Sequence, residues 1–370
     1  MSKIMFHLNC LEQGGAERVV SNLANAFSES GDEVIVATEW KGEQEFSLND
    51  SVKRIIVGIT EEENNKSRIS KIFLRNKHLK DCIKKEQPDV VIAFTQAANY
   101  RALMVAKGLE VPVIIAVRTD PVGHYDRPID KIMIPLTYPR ADGCVFQTTG
   151  QRDFFPEYIR NKSVIILNPV NPKYVGVPAP EVREKAVVHA GRIVDFKNQP
   201  MLIEAFCKVH EKYPEHELRI YGPDSFDGTL EILKKKIADN NAESFVKLMG
   251  GSDSLEKELP RGEVYAFSSD WEGLPNALIE AMVLGMPIVA TDCPCGGPAT
   301  IMTDGVDGLL VPIKDSDAMA AGICRLLEDR ELAERLGQNA RKLEERVNSD
   351  AIIRQWHEYI EQVIESKKKK

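Results

Sequence analysis

At 370 residues the chain is longer than a single hydrophobic core usually grows, so two domains of similar size are expected. Hydrophobic residues at 43% and charged residues at 28% exclude a disordered or fibrous chain, and 48 Lys plus Arg against 56 Asp plus Glu, a net charge of −8, exclude a protein that wraps the nucleic-acid backbone. Seven scattered cysteines, an odd number, exclude a disulfide framework, and no stretch approaches the ~20 apolar residues of a membrane span, so a cytoplasmic location is expected.

Short apolar runs at 4–8, 34–38, 90–94, 113–117 and 144–147 each precede a segment of helical period. The pattern resumes at 186–190, 218–221, 245–248, 264–267, 287–291 and 309–311. Alternation of this kind predicts an α/β protein with two doubly wound parallel sheets covered by helices. Between the two sets lies Asn168-Pro169-Val170-Asn171-Pro172, followed by Pro178 and Pro180, which reads as a linker because proline breaks both helix and sheet interior. The predicted domains are therefore 1–170 and 171–350. In the last segment, 351–370, Ile352, Ile353, Trp356, Tyr359, Ile360 and Val363 recur at helical spacing before the tail Lys367 to Lys370, predicting an amphipathic helix that packs back on the first domain.

Chemistry concentrates at strand-to-helix turns. After the first run comes Glu12-Gln13-Gly14-Gly15-Ala16-Glu17-Arg18, where Gly14 and Gly15 let backbone approach a ligand and the free N–H groups of the helix start favour an anion; tight turns also use glycine for geometry alone. In the second half Gly191-Arg192-Ile193-Val194-Asp195-Phe196-Lys197-Asn198 follows the strand at 186–190, which places Arg192 and Lys197 beyond a strand's carboxyl end, where open α/β sheets bind ligands. Two cations there suit a diphosphate, against the plainer reading of a solvated loop. After the run at 264–267 stands Ser268-Ser269-Asp270-Trp271-Glu272-Gly273-Leu274-Pro275-Asn276-Ala277-Leu278-Ile279-Glu280. Pro275 marks a helix start, so Glu272 belongs to the loop and Glu280 to the helix. The N–H groups near Asn276 suit phosphate, and Glu280 suits ribose hydroxyls; blandly read, the two are a loop acid and a helix-face acid.

These three segments, together and in this order, resemble the retaining glycosyltransferases of family 4, whose fold is called GT-B: two Rossmann-like doubly wound domains facing a central cleft. The resemblance runs over nearly all of the chain. It implies that Glu272 contacts the donor sugar near the reacting carbon, that Glu280 binds ribose, and that Arg192 and Lys197 hold the diphosphate with no metal. Gly273, Leu274, Pro275 and Asn276 would complete the donor loop, with Gly296 and Gly297 of Cys293-Pro294-Cys295-Gly296-Gly297-Pro298 near the donor and Gly222 and Gly250 near the base. The sequence departs from the family at Thr300, where an acidic residue is common, and at Arg118-Thr119-Asp120-Pro121, where many relatives place a histidine beside the acceptor. Asp120 and His124 are the candidates for that orienting work, although a lone histidine in a polar loop is more often a surface residue.

The resemblance implies no cofactor beyond a nucleotide-sugar co-substrate, with a UDP-linked hexose or N-acetylhexosamine favoured over a GDP-sugar. The acceptor would be a glycan or a polyprenyl-diphosphate-linked glycan, and a lipid-linked acceptor would bring the chain to the inner face of the cell membrane, where Lys71, Arg75, Lys77, Lys80, Lys84, Lys85 and the lysine tail could meet anionic lipid. Three other readings stand beside it. A metal-dependent transferase would need Asp315-Ser316-Asp317 as a metal motif, but that triplet reads as a helix cap. An epimerase on the same two-domain plan would turn over donor without acceptor, and a non-catalytic or partner-activated subunit would bind the sugar nucleotide without turnover.

Overall fold

A computed structural model describes residues 1–12, 14–125 and 127–369. Gln13 of the glycine turn and Lys370 of the lysine tail lie outside the described residues. The chain divides into two compact units, Met1–Asn168 with Asp350–Lys370, and Pro169–Ser349.

The first unit holds seven strands: β1 (Lys3–Leu8), β2 (Glu33–Thr38), β3 (Lys53–Ile56), β4 (Val90–Phe94), β5 (Val113–Ala116), β6 (Gly143–Phe146) and β7 (Ser163–Ile165). They lie in the order β3-β2-β1-β4-β5-β6-β7, every neighbouring pair parallel. Successive side chains point to opposite faces, and both faces are covered, which is why the central strands read as unbroken apolar runs. On one face Met5, Ile35, Val91 and Ile115 meet the helices α2 (Arg68–Glu86), α3 (Gln96–Val105) and α5 (Pro128–Thr137) through Leu79, Ile83, Leu103 and Ile134. On the other, Phe6, Val36, Ile92 and Phe94 meet α1 (Gly15–Glu29) and the C-terminal helix Ser349–Lys368. The short helix α4 (Pro121–His124) follows β5.

The C-terminal helix completes this core. Trp356 is fully buried and stacks on Phe94 at 5.8 Å between ring centroids. The Tyr359 hydroxyl accepts from the Cys144 N–H (2.8 Å) and donates to the Lys162 carbonyl (2.6 Å), tying the helix to β6 and to the start of β7. Lys367 of the tail pairs with Asp142 (3.0 Å), at the amino end of β6. No helix among the described residues is long and apolar enough to cross a membrane.

In the second unit six parallel strands, β8 (Glu184–Ala190), β9 (Glu217–Tyr221), β10 (Val246–Gly250), β11 (Gly262–Phe267), β12 (Ile288–Thr291) and β13 (Leu309–Val311), lie in the order β10-β9-β8-β11-β12-β13. Both units are therefore Rossmann-like. Each sheet reverses its winding at one place, between β1 and β4 and between β8 and β11. At such a point the loops leaving two adjacent strands diverge to opposite faces and open a crevice at the carboxyl edge. Local chemistry sets the helix starts: Asn198, at φ 46°, caps the helix Gln199–Lys212 by accepting from the Met201 N–H (3.2 Å). Asp315 caps Ser316–Glu328 through the Ala318 N–H (2.8 Å), and Asp317 reaches Lys208 (2.6 Å), so the Asp-Ser-Asp triplet is occupied as a helix start.

Candidate active site

The winding reversal of the second unit brings the loops after β8 and β11 side by side. Lys197 from the first loop and Glu272 from the second form an ion pair, both side chains largely buried at 12% and 16% exposure. Around the pair the backbone is pinned. The Asp270 N–H donates to the Phe196 carbonyl (2.8 Å), the Asn198 amide donates to the Asp270 carboxylate (2.8 Å), and the Ser268 hydroxyl donates to the Lys197 carbonyl (2.8 Å). Phe196 and Trp271 stack at 4.2 Å, and Thr291 at the end of β12 donates to the Ser269 carbonyl (2.6 Å). A carboxylate and an ammonium are thus held 75 positions apart in the chain but in contact in space. Arg192, on the same loop as Lys197, is exposed, and its guanidinium has no partner among the described residues; its carbonyl accepts from Gln199 (2.8 Å).

Glu280 lies in the helix Asn276–Val283 and is buried at 5% exposure, while Pro275 takes the capping position just before it. The Tyr265 phenol is pushed far above its ordinary range by burial first and then by the negative charges of Glu280 and, more weakly, Glu272. Beneath the Lys197 loop, His189 is fully buried and lowered to about 4 by burial, against its hydrogen bond to the Ala266 carbonyl (2.9 Å) and helped by the Lys197 charge. Carbonyls only accept, so Nδ1 carries the proton and the imidazole is neutral. Cys293 is buried and its thiol is raised by burial and then by Glu272, so at neutral pH it is no thiolate ligand or nucleophile.

Close backbone approach explains the glycines. A Cβ added at Gly297 would strike the Gly273 carbonyl oxygen, which brings the loop after β12 against the Glu272 loop. One added at Gly222 would strike the Gly191 carbonyl oxygen, and the Gly222 N–H donates to the Gly250 carbonyl (2.7 Å). Gly296 and Gly250 take positive φ, 69° and 72°. The carboxyl edge of this one sheet therefore gathers Arg192, Lys197, Gly222, Gly250, Glu272, Gly273, Gly296 and Gly297.

Gly14, Gly15, Asp120 and His124 belong to the first unit. Gly14 caps α1 at φ −141°, and a Cβ there would strike the Glu17 carboxylate, so the anion nearest this helix start is the chain's own. The Asp120 carboxylate is buried at 4% exposure and caps α4 by accepting from the Val122 N–H (3.0 Å). His124 ends that helix; it is held below its ordinary value by burial, with Asp120 opposing and Arg127 adding to the shift. Its carbonyl accepts from Gln96, whose amide also donates to the buried Asp130 (2.8 Å), itself bonded by Tyr100 (2.9 Å) and Arg127 (2.9 Å). Sequence reasoning did not single out this cluster, nor Ser268, Asp270 and Thr291 as the pins of the second-unit loops. The available signal was a polar residue directly after an apolar strand end.

Residues 13–174 match the model of Glycosyltransferase Family 4, and residues 172–343 match that of Glycosyl transferases group 1. The chain belongs to glycosyltransferase family 4. An uncharacterised glycosyltransferase of Methanocaldococcus jannaschii is 26% identical to this glycosyltransferase over 346 residues, covering 80% of this chain and 84% of the relative. An alpha-1,4-N-acetyl-D-galactosaminyltransferase of Campylobacter jejuni, whose name specifies a PP-undecaprenol-linked glycan, is 24% identical and covers 98% of this chain and 99% of its own. HepE of Anabaena, solved in complex with UDP, superposes with a TM-score of 0.82 at 18% identity, covering 97% of this chain and 100% of that one. The glycosyltransferase thus has the GT-B type of fold, with two parallel-sheet Rossmann-like domains.

Proposed function

We propose that this glycosyltransferase moves a hexose or N-acetylhexosamine from a UDP-sugar to a hydroxyl of a glycan or polyprenyl-diphosphate-linked acceptor, with retention of configuration and without a metal. The observation that carries the reading is the Lys197–Glu272 ion pair, with Arg192 on the same loop as Lys197, at the winding reversal of the second sheet. An incoming diphosphate draws Lys197 and Arg192 to its oxygens, which releases the Glu272 carboxylate to accept hydrogen bonds from the sugar. Glu280 accepts from the ribose hydroxyls, and Gly273, Leu274, Pro275 and Asn276 line the donor loop. The bond from the anomeric carbon to the diphosphate oxygen breaks as the acceptor oxygen bonds to that carbon on the same face. The departing phosphate oxygen takes the acceptor's proton. As charge gathers on the leaving group, the two cations bind it more strongly than they bind the ground state, which is where the acceleration arises.

The UDP bound to HepE and the lipid-linked substrate in the name of the Campylobacter relative support the donor and acceptor classes. We place the enzyme in the cytoplasm at the inner membrane face, where such an acceptor is reached. The test is calorimetric binding of UDP, GDP, ADP and their sugars in a chelator, for the wild type, Arg192→Ala and Glu280→Ala. Metal-free binding of a uridine nucleotide that both substitutions weaken is expected. A folded protein that binds none of them overturns the reading, and turnover of donor to an epimeric sugar nucleotide without acceptor points to an epimerase instead.

A further inference from the structure

The amino edge of the first sheet, the edge opposite the glycine turn, holds a cavity of about 780 Å³ that the transfer chemistry does not use. Four separate stretches wall it: residues 106–107 just past α3, residues 139–142 leading into β6, residues 161–163 at the start of β7, and the last turns of the C-terminal helix from Tyr359 to Lys367. All four belong to the unit Met1–Asn168 with Asp350–Lys370. The volume falls within the roughly 300–1,000 Å³ of small-molecule sites.

Charge and polarity select the ligand. Lys107, Arg140, Lys162 and Lys367 line the cavity against one carboxylate, Asp142, a net +3 in a chain of net −8. Asp142 is already committed, accepting from the Val113 N–H (3.0 Å) and pairing with Lys367 (3.0 Å). Lys162 is fixed in place by the carbonyls of Tyr138 (3.3 Å) and Pro139 (3.1 Å). Lys107 and Arg140 have no carboxylate partner among the described residues, and they reach the cavity from two different stretches of chain. Two such cations facing one polar cavity favour an oxyanion, and a guanidinium beside an ammonium suits phosphate. Much of the remaining wall is hydroxyl and amide, from Asn161, Ser163, Gln362 and Ser366, which suits the hydroxyls of a sugar. None of the large apolar side chains exposed among the described residues lines the cavity, which removes a bilayer or an apolar protein face as its occupant.

We infer that this cavity binds a phosphorylated sugar, its phosphate met by Lys107 and Arg140 and its hydroxyls by Asn161, Ser163 and Ser366. Because Tyr359 and Lys367 belong to the wall, an occupant bridges the C-terminal helix to the body of the sheet and fastens the helix that completes this core. The inference stands apart from the donor reading, since every wall residue lies in the first unit and Arg192, Lys197 and Glu272 lie in the second. The experiment is calorimetry on the full chain at physiological salt with glucose 6-phosphate, glucose and phosphomannan, the last probe telling a phosphate carried on a glycan from one on a free sugar. It compares the wild type with Lys107→Gln/Arg140→Gln, the charge-keeping Lys107→Arg/Arg140→Lys, and Arg192→Ala. Thermal midpoints and UDP binding are measured in parallel, and hydrogen exchange is read over residues 359–368. The wild type and the charge-keeping variant should bind glucose 6-phosphate about tenfold or more tightly than glucose, and the ligand should slow exchange in the C-terminal helix. Lys107→Gln/Arg140→Gln should lose about tenfold or more in that affinity, with its thermal midpoint and UDP binding at the wild-type values. Arg192→Ala should bind glucose 6-phosphate as the wild type does. The inference is overturned by a wild type that binds neither phosphate-bearing probe, by glucose binding as tightly as its phosphate, or by Lys107→Gln/Arg140→Gln binding as the wild type does. It is equally overturned if Arg192→Ala abolishes the binding, which would assign the ligand to the second unit. Loss of UDP binding in the wild type with glucose 6-phosphate binding intact would instead strike the donor reading.

Discussion

Replacing Lys197 by Met tests whether the Lys197–Glu272 pair is an organising interaction or an incidental contact. At an effective dielectric near 20, two unit charges in contact attract by about 4 kcal/mol, and removing both from water takes back most of that. With side chains at 12% and 16% exposure the pair is neither fully buried nor screened as a surface pair is, so a net coupling of about 1–2 kcal/mol is expected. Lys197→Met removes the cation paired with the Glu272 carboxylate, which keeps a hydrogen bond from the Ser269 hydroxyl (3.4 Å), and should destabilise the unit Pro169–Ser349 by about 1–3 kcal/mol, a fall in Tm of about 3–8 °C. Glu272→Gln should cost a similar amount, and the double variant should cost less than the sum by the coupling energy. Urea unfolding followed by Trp271 fluorescence, in a background with Trp40 and Trp356 replaced by Phe, measures all four corners of the cycle. Additivity to within about 0.3–0.5 kcal/mol would refute the assignment of an organising role to the pair.

Arg192→Ala, which removes an exposed guanidinium, should leave stability within about 0.5 kcal/mol and weaken UDP binding by roughly 10- to 100-fold, read by calorimetry. Gly297→Ala drives a methyl into the Gly273 carbonyl; a destabilisation of about 1–3 kcal/mol in thermal melts is expected, with weaker donor binding because the Glu272 loop must shift. His7 and His189 are lowered to about 3 and about 4, below the ordinary 6.5 of an unfolded imidazole. The unfolded chain therefore takes up protons that the native state does not, so this stability is complete above pH 6.5 and declines as pH falls toward 4, by about 1.4 kcal/mol per pH unit for each histidine. Urea melts at pH 7.5, 5.5 and 4.5 check the slope, and His189→Leu should remove the contribution of the second unit.

Nine of the eleven apolar runs read from the sequence correspond closely to strands, and the other two, 144–147 and 245–248, are shifted by a residue or two, because burial on both faces leaves an unbroken signature. The strands that escaped are β3 and β7, both at sheet edges. Lys53-Arg54-Ile55-Ile56 carries charge where solvent reaches it, and Ser163–Ile165 has three residues, too few for a period. The loops bearing Arg192, Lys197 and Glu272 were legible as loops after strands. Their adjacency was not, since it depends on the order β8-β11, and strand order leaves no mark in local composition. Asp120 shows the converse: its position after a strand invited a chemical role, and its side chain is committed to capping α4. Glu17 likewise lies over the glycine turn, which the glycines alone did not foretell.

The helix Ser349–Lys368 seals the core of a unit whose other residues end at Asn168. During synthesis the first sheet and α1 leave the ribosome with Phe94 and Phe27 uncovered, and they stay so while all of Pro169–Ser349 is made and can close on its own. A nascent chain of this protein therefore exposes a sticky, half-clad sheet while the second unit is made, and the helix Ser349–Lys368 acts as its stopper. A stop codon near 349 would leave an intact second unit joined to a first unit prone to aggregate, whereas supplying 349–370 as a separate peptide should restore solubility to the shortened chain.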